Sequence, residues 1–256
     1  MYTNLLPSLP IGEIHWYDEV TSTNDAAFEA AEAGAPDMSV FAAGKQSAGR
    51  GRMRRTWVMT PGSSIAVSLL LRLSQAEMSF INLFSPLAGI AVCETLREKY
   101  GIPAQVKWPN DVLLNRKKIC GVLCETRWQG ETLLGPVLGI GLNLLSGSAP
   151  KLPEMPYPAS SIEEETGRKL DPAEMLYELV SKLTALRPML GTPAFITRWE
   201  TYLAYRDESV NLICPEKAPI RAILRGIDPE GRLLIEREDG KLESVLAGEL
   251  SLRALN

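Results

Sequence analysis

A chain of 256 residues with 45% apolar and 23% charged side chains can bury a substantial core, and its length suits one large domain plus a small one. The formal net charge of −4 argues against adhesion to nucleic acid through overall charge, so positive charge must act through a local cluster. The longest apolar run, residues 64–73, has strand length and cannot span a bilayer. Residues 1–10 hold two prolines and no basic opening, unlike a signal peptide.

In chain order, Thr21, Ser22, Thr23 and Asn24 offer capping groups to a helix over residues 25–33. Residues 38–43 read as a short strand running into a loop, 44–56, that has no apolar periodicity. A strand over 64–73 and a long helix over 80–100 follow, the helix ended by Gly101 and Pro103. From 106 to 143 the chain reads as strand after strand (112–114, 119–126, 133–143), favouring hairpins in a mixed or antiparallel sheet. A proline-rich connection, 150–158, precedes helices over 172–190 and 194–205. After Asp207 the pattern changes to short strands (210–214, 220–227, 232–237, 241–246), which read as a small separate β-barrel. The four cysteines, Cys93, Cys120, Cys124 and Cys214, are scattered and suit reduced thiols in a cytoplasm. Cys120 and Cys124 share a strand face and read as packing, not as a metal pair.

The most informative stretch is residues 45–57, with five basic residues and two glycines between positions 45 and 55 and no acid. Glycine lets backbone approach an anion, arginine pairs with phosphate or carboxylate in a fork, and Trp57 offers a flat face to a ring. Taken alone, a solvated charged loop or a nucleic-acid contact explains it equally well, and it lacks the ending of a Walker A loop. In Lys107-Trp108-Pro109-Asn110-Asp111 an amide and a carboxylate project together from a turn, which suits magnesium on nucleotide phosphates or a base near an amine. A simple capped turn also fits. Lys118 opens a buried strand three residues before Gly121 and can act as a point charge on a phosphoryl group. Gly139 and Gly141 alternate along the last of these strands and leave one face bare for a ligand, or mark a bulge.

Ser22-Thr23-Asn24 and residues 46–57, 107–111, 118–125 and 139–143 stand in the order and spacing of biotin–protein ligases, which the chain resembles over nearly its whole length. Gly248-Glu249-Leu250-Ser251-Leu252-Arg253 looks like the closing motif of that family's C-terminal domain. The resemblance implies an α/β catalytic domain on a mixed sheet, of the class II aminoacyl-tRNA synthetase and biotin ligase type, over 1–206, followed by an SH3-like barrel over 207–256. It implies a cytoplasmic enzyme that activates biotin with ATP and Mg2+ to biotinyl-5′-AMP. The biotinyl group then passes to a lysine of a biotin carboxyl carrier protein.

By the same similarity, Ser22, Thr23, Asn24 and Gln46 bind the biotin rings, Gly49 and Arg50 lie at the biotin carboxylate, and Gly121 and Leu123 line that pocket. Lys118 contacts carboxylate and α-phosphate oxygens. Arg52 and Arg55 hold phosphates, Trp57 stacks near adenine, and Asn110, Asp111 and Asn143 lie on the nucleotide side, Asp111 with magnesium. Glu249 and Arg253 reach the site from the small barrel. Lys118, Arg52, Asp111 and Arg50 are the residues expected to carry catalysis. The family's second loop glycine is replaced by Arg54, so either the loop closes differently or that position never needed a positive φ. The loop is expected to be mobile without ligand, its like charges repelling with nothing apolar to pin it.

A lipoate or octanoate ligase or transferase of the same fold is the alternative, although those relatives lack the arginine loop and the closing motif. A nucleic-acid-binding regulator is the reading from another class. Ser22-Thr23-Asn24 stands too early for a winged helix-turn-helix to precede it, so no DNA partner is expected; with no apolar run of membrane length, no membrane partner is expected either. A monomer and a homodimer both fit.

Overall fold

The computed structural model describes residues 6–150, 158–213, 218–246 and 251–254. Its larger sheet is built from β1 (Ile14–Tyr17), β2 (Ser39–Ala43), β3 (Ser64–Leu70), β4 (Gln105–Lys107), β5 (Asp111–Leu114), β6 (Lys117–Gln129) and β7 (Thr132–Asn143). The order is β1-β2-β3-β7-β6-β5-β4; β1 runs parallel to β2 and every other pair is antiparallel. The sheet is therefore mixed, with most neighbours joined as hairpins, as the strand-rich stretch 106–143 leads one to expect. The sequence reading omitted β1, a four-residue edge strand whose Ile14, His15, Trp16 and Tyr17 are none of them fully buried.

Alternation along the strands divides the sheet into two faces. Val40, Val67, Leu69, Leu138, Ile140, Leu142, Cys120 and Val122 point to one of them. Over it lie α3 (Phe84–Glu94), apolar almost all round and buried, and α5 (Pro172–Leu186). Asp171 caps α5, its carboxylate accepting from Ala173 N and Glu174 N, with Pro172 in the first turn. Its buried stripe of Met175, Leu176, Leu179, Val180, Leu183 and Leu186 has helical spacing. The long helix expected over 80–100 divides into a 3-10 turn (Ile81–Leu83), α3 and a π-helical turn (Thr95–Lys99). The remaining helices are α2 (Gln75–Met78), α4 (Ile162–Thr166) and α6 (Pro193–Tyr202).

The opposite face carries Phe41, Leu70 and Val137, covered by Ala27, Phe28 and Ala31 of α1 (Thr23–Glu32). Arg72 fixes the far end of α1 by donating to the Ala31 and Ala35 carbonyls. Ser22 is the N-cap residue, yet its side chain makes no capping bond. Instead Thr23 and Asn24 turn their side chains into the sheet, so the residues read as caps are committed elsewhere.

A second sheet holds β8 (Ser209–Ile213), β9 (Ile220–Ile227), β10 (Leu233–Glu236), β11 (Leu242–Val245) and β12 (Ser251–Ala254), all antiparallel in the order β11-β10-β9-β8-β12. Among the described residues no ladder joins β11 to β12. The β9–β10 turn leans on the larger sheet. Trp108 Nε1 donates to the Gly231 carbonyl at 3.3 Å, and Asn82 Nδ2 donates to the Glu230 carbonyl at 2.6 Å.

Candidate active site

The register places the site in one row across the sheet. Ala43, Ala66, Gly141, Gly121, Asp111 and Lys107 are successive cross-strand partners on β2, β3, β7, β6, β5 and β4. The row is small in the middle and charged at one end. Beside it runs a second row, Phe41, Ser68, Gly139 and Leu123. Lys118 lies three residues before Gly121, and in a regular strand that odd spacing would put it on the other face. The register shift between Val112 and Leu113, opposite Cys120 and Lys118, supplies the extra residue that returns it to this one.

The sequence reading left the glycine strip bare, whereas in the structure protein side chains occupy it. A Cβ on Gly139 would sit 2.3 Å from Asn24 Oδ1, and one on Gly141 would sit 2.3 Å from the Trp57 ring. Gly121 faces both Trp57 and Lys118. Trp57 thus lies on the two glycines and pins loop 45–57, contrary to the expectation that nothing apolar holds it. Gly51 N–H to Arg55 O (2.7 Å) and Trp57 N–H to Gly49 O (2.9 Å) close the loop on itself. Its left-handed residue is Met53 (φ 56°, ψ 40°); Arg54 is not among the positive-φ positions, so the family's glycine is not needed there. Gly141→Ala is expected to lift the ring off the sheet. The overpacking costs about 1–3 kcal/mol, and trypsin should cut the loop at Arg50–Arg55 markedly faster; unchanged cleavage would mean the ring does not anchor the loop.

At the charged end, Asp111 Oδ1 lies 2.5 Å from Lys118 Nζ and Oδ2 lies 3.3 Å from Lys107 Nζ. Burial pushes the Asp111 carboxyl up, but the two ammonium groups outweigh it and hold it below the usual carboxylate range. Lys107 is only 3% exposed. Arg52 joins the cluster by donating to Asn110 Oδ1 at 3.1 Å, and Asn110 Nδ2 donates to the Val122 carbonyl at 2.7 Å. Burial lowers the Arg52 guanidinium, with Asp111 offsetting part of that and nearby Arg55 adding to it. Three cations therefore surround one carboxylate, a local excess of positive charge in an acidic chain. Both Asp111 oxygens being engaged by ammonium groups, this carboxylate does not fit a magnesium ligand. No cluster of three His, Cys, Asp or Glu side chains suited to a metal occurs among the described residues.

A buried polar chain lies at the other end. Gln46 Oε1 accepts from Thr23 N–H at 2.8 Å, and Thr23 Oγ1, Ser68 Oγ and Asn24 Oδ1 follow in contact. Asn24 Nδ2 donates to Glu125 at 2.7 Å. Ser68 was missed from the sequence, although a serine two pleats from Ser64 in an otherwise apolar buried strand was the available signal. Arg50 makes its ion pairs with Asp25 (2.6 Å) and Glu125 (3.2 Å), away from the lysine cluster. Its hydrogen bond is also the main reason the Asp25 carboxyl is held low. Asn143 donates to the Ser160 carbonyl at 3.1 Å, and Arg55 is exposed. Trp57 Nε1, Asn143 Oδ1 and Ser64 Oγ are buried without a hydrogen-bond partner, which marks this side of the row as fitted to a polar ligand. Burial raises the Cys120 and Cys124 thiols to about 12, consistent with packing rather than reactivity. Glu249, the Arg253 side chain and Cys214 lie outside the described residues.

Residues 16–143 match the model of the biotin/lipoate A/B protein ligase family, and residues 207–253 match that of the biotin protein ligase C-terminal domain. The chain belongs to the biotin protein ligase family. It is 30% identical to the bifunctional ligase/repressor BirA of Bacillus subtilis, over 93% of this chain and 73% of that one. It is 33% identical to the biotin–[acetyl-CoA-carboxylase] ligase of Paracoccus denitrificans, over 77% of this chain and 83% of the relative. Among solved structures, the biotin protein ligase of Aquifex aeolicus in complex with biotin and ATP superposes with a TM-score of 0.79. It is 30% identical and covers 95% of this chain and 99% of its own. The chain is thus an ATP-dependent ligase, and no helix among its described residues is long and apolar enough to cross a membrane.

Proposed function

We propose that this ligase joins biotin to ATP as biotinyl-5′-AMP and then passes the biotinyl group to a lysine of a biotin carboxyl carrier protein, in the cytoplasm. The observation that carries this reading is the row of small residues, Ala66, Gly141 and Gly121, that runs into Lys118, Lys107 and Arg52. An apolar lane ending on concentrated positive charge suits an acid whose carboxylate must meet a polyphosphate. In the first step a biotin carboxylate oxygen bonds to the α-phosphorus and the bond to the departing pyrophosphate breaks. In the second, the carrier lysine's neutral amine bonds to the acyl carbon, AMP departs with the anhydride oxygen, and the amine loses a proton.

Ser22, Thr23, Asn24 and Gln46 would hold the biotin ring system, with Gly49 and Arg50 at its tail and Gly121 and Leu123 lining the lane. Lys118 would neutralise oxygens of both the carboxylate and the α-phosphate as charge builds on them. Arg52 and Arg55 would hold the phosphates. Asn110 and Asn143 would lie on the nucleotide side, and Trp57, with its orphaned indole N–H, would turn from the glycines to the adenine. Glu249 and Arg253 would reach in from the domain beginning at residue 207. Asp111 would act by holding Lys118 and Lys107, and magnesium would enter bound to ATP.

The test is exchange of labelled pyrophosphate into ATP by the purified protein. Exchange that requires biotin and does not occur with lipoate is the expected result. Lipoate-dependent exchange would move the chain to the lipoate ligases, and no exchange with either acid would overturn the reading.

A further inference from the structure

The hairpin that carries Lys118 turns at a place where the backbone is costly. Leu114 pairs with Lys117, and the two residues between them, Asn115 (φ 50°) and Arg116 (φ 63°), both lie in the left-handed region. A two-residue hairpin turn demands that conformation at both positions; asparagine tolerates it, whereas arginine adopts it at a cost. One pair further along, the register shift between Val112 and Leu113 decides the face on which Lys118 emerges. The backbone of Lys118 also lies just past the end of the β6–β7 ladder at Cys120 and Leu142. Residues 158–160 take over there: Lys118 N–H donates to the Pro158 carbonyl at 2.9 Å, and Ser160 N–H donates to the Lys118 carbonyl at 3.0 Å.

Glu165 of α4 joins these pieces. Its Oε1 accepts from Lys117 Nζ at 2.7 Å and from Ser160 Oγ at 2.6 Å, and its Oε2 accepts from Asn115 Nδ2 at 3.1 Å. The side chain is only 7% exposed. Burial pushes its carboxyl up, but Lys117, Ser160 and Asn115 together hold it below the usual carboxylate range, so it is ionised at neutral pH. These three donors lie outside α4, and the helix has its own closures. Ser161 and Glu164 form a capping box at its start, and Gly167 ends it in the left-handed conformation. The bonds of Glu165 therefore serve the hairpin and residue 160, not the helix that carries it.

We propose that Glu165 is a positioning residue for Lys118. It holds the turn residue Asn115, the residue immediately before the lysine, and the residue bonded to the lysine's own carbonyl, and so clamps the backbone from which the ammonium reaches the row. This rests on the reading of Lys118 as the group that neutralises charge during transfer, and extends it one layer behind the sheet. A lysine side chain is long and flexible, so its charge is well placed only where its base is fixed. A displacement of about 1 Å at a reacting centre can cost up to about 10²-fold in rate.

The experiment is a double-mutant cycle read by biotin-dependent pyrophosphate exchange. Glu165→Ala is expected to lower kcat about tenfold and to leave the KM values for biotin and ATP within about twofold. In the Lys118→Ala background the same change should lower kcat by less than about twofold, because no ammonium remains to be misplaced. An equal fold-loss in both backgrounds overturns the proposal, since the carboxylate would then serve the fold at large. An unchanged kcat in Glu165→Ala, or a loss that falls on KM alone, overturns it as well. If Glu165→Ala fails to fold, Ser160→Ala cuts the same clamp on its other side and takes its place in the cycle with the same expected results. Lys118→Ala as active as the natural enzyme sinks the reading of Lys118, and absence of exchange with biotin sinks the ligase reading, each a different result from those above.

Discussion

Lys118→Ala is expected to reduce biotin-dependent pyrophosphate exchange about 10²–10³-fold, the range seen when one preorganised charge-stabilising group is lost from an active site. The strand bulge turns Lys118 onto the row of small residues, where its ammonium sits 2.5 Å from Asp111 and over the Trp57 ring at 5.7 Å from the centroid. A point charge held there acts on whichever oxygens gain negative charge as the carboxylate bonds to phosphorus. The loss should fall equally on kcat and kcat/KM, because the interaction strengthens in the transition state. A variant whose KM alone rises would make Lys118 a binding residue instead. Lys118→Arg should recover little, since a planar fork does not replace a compact ammonium in this space.

Asp111→Asn carries the largest expected cost in stability. It takes a carboxylate from between two lysines, one of them only 3% exposed, and removing one partner of such a buried pairing costs about 3–5 kcal/mol. For a chain of this length that corresponds to a fall of roughly 10 °C in Tm. The effect has a pH signature. The folded carboxyl is held below its unfolded value, so its contribution is fully present above the unfolded pKa of about 3.9 and is lost as pH falls through the lower, folded value. The stability gap between natural protein and Asp111→Asn, measured by urea unfolding, should be constant from pH 7 down to about 5 and shrink below about 4. A gap independent of pH would show that the lysines do not depend on this carboxylate.

Much of the site was legible because its motifs are local. Lys107-Trp108-Pro109-Asn110-Asp111 and residues 118–125 are adjacent in sequence, and two short strands bring them together. The strand boundaries followed from apolar runs, with β9 matching its expected limits of 220–227. What escaped the sequence depends on long-range register. That Gly141 meets Trp57, or that Ser68 links Thr23 to Asn24, follows from contacts across 44 to 84 residues that no local pattern encodes. Arg50 shows the same limit. Its charge was evident, but its pairing with Asp25 and Glu125 depends on where α1 and β6 lie. The capping reading of Ser22, Thr23 and Asn24 missed for a related reason: a hydroxyl able to cap a helix is equally able to bond across a sheet, and tertiary position decides between them.

The turn between β9 and β10 gives the C-terminal sheet a share in the geometry of the catalytic row. Gly231, at φ +80°, receives the Trp108 indole N–H and packs so closely that a Cβ there would come within 2.5 Å of Leu83. Trp108 is the residue between Lys107 and Pro109, a single step from the buried lysine. The small sheet is therefore a keystone more than an appendage. Grafting a homologous tail onto this chain should preserve activity only when the donor brings a glycine and a free carbonyl at that turn. A side chain in place of Gly231 would push the turn off Leu83 and draw that carbonyl away from a fully buried indole.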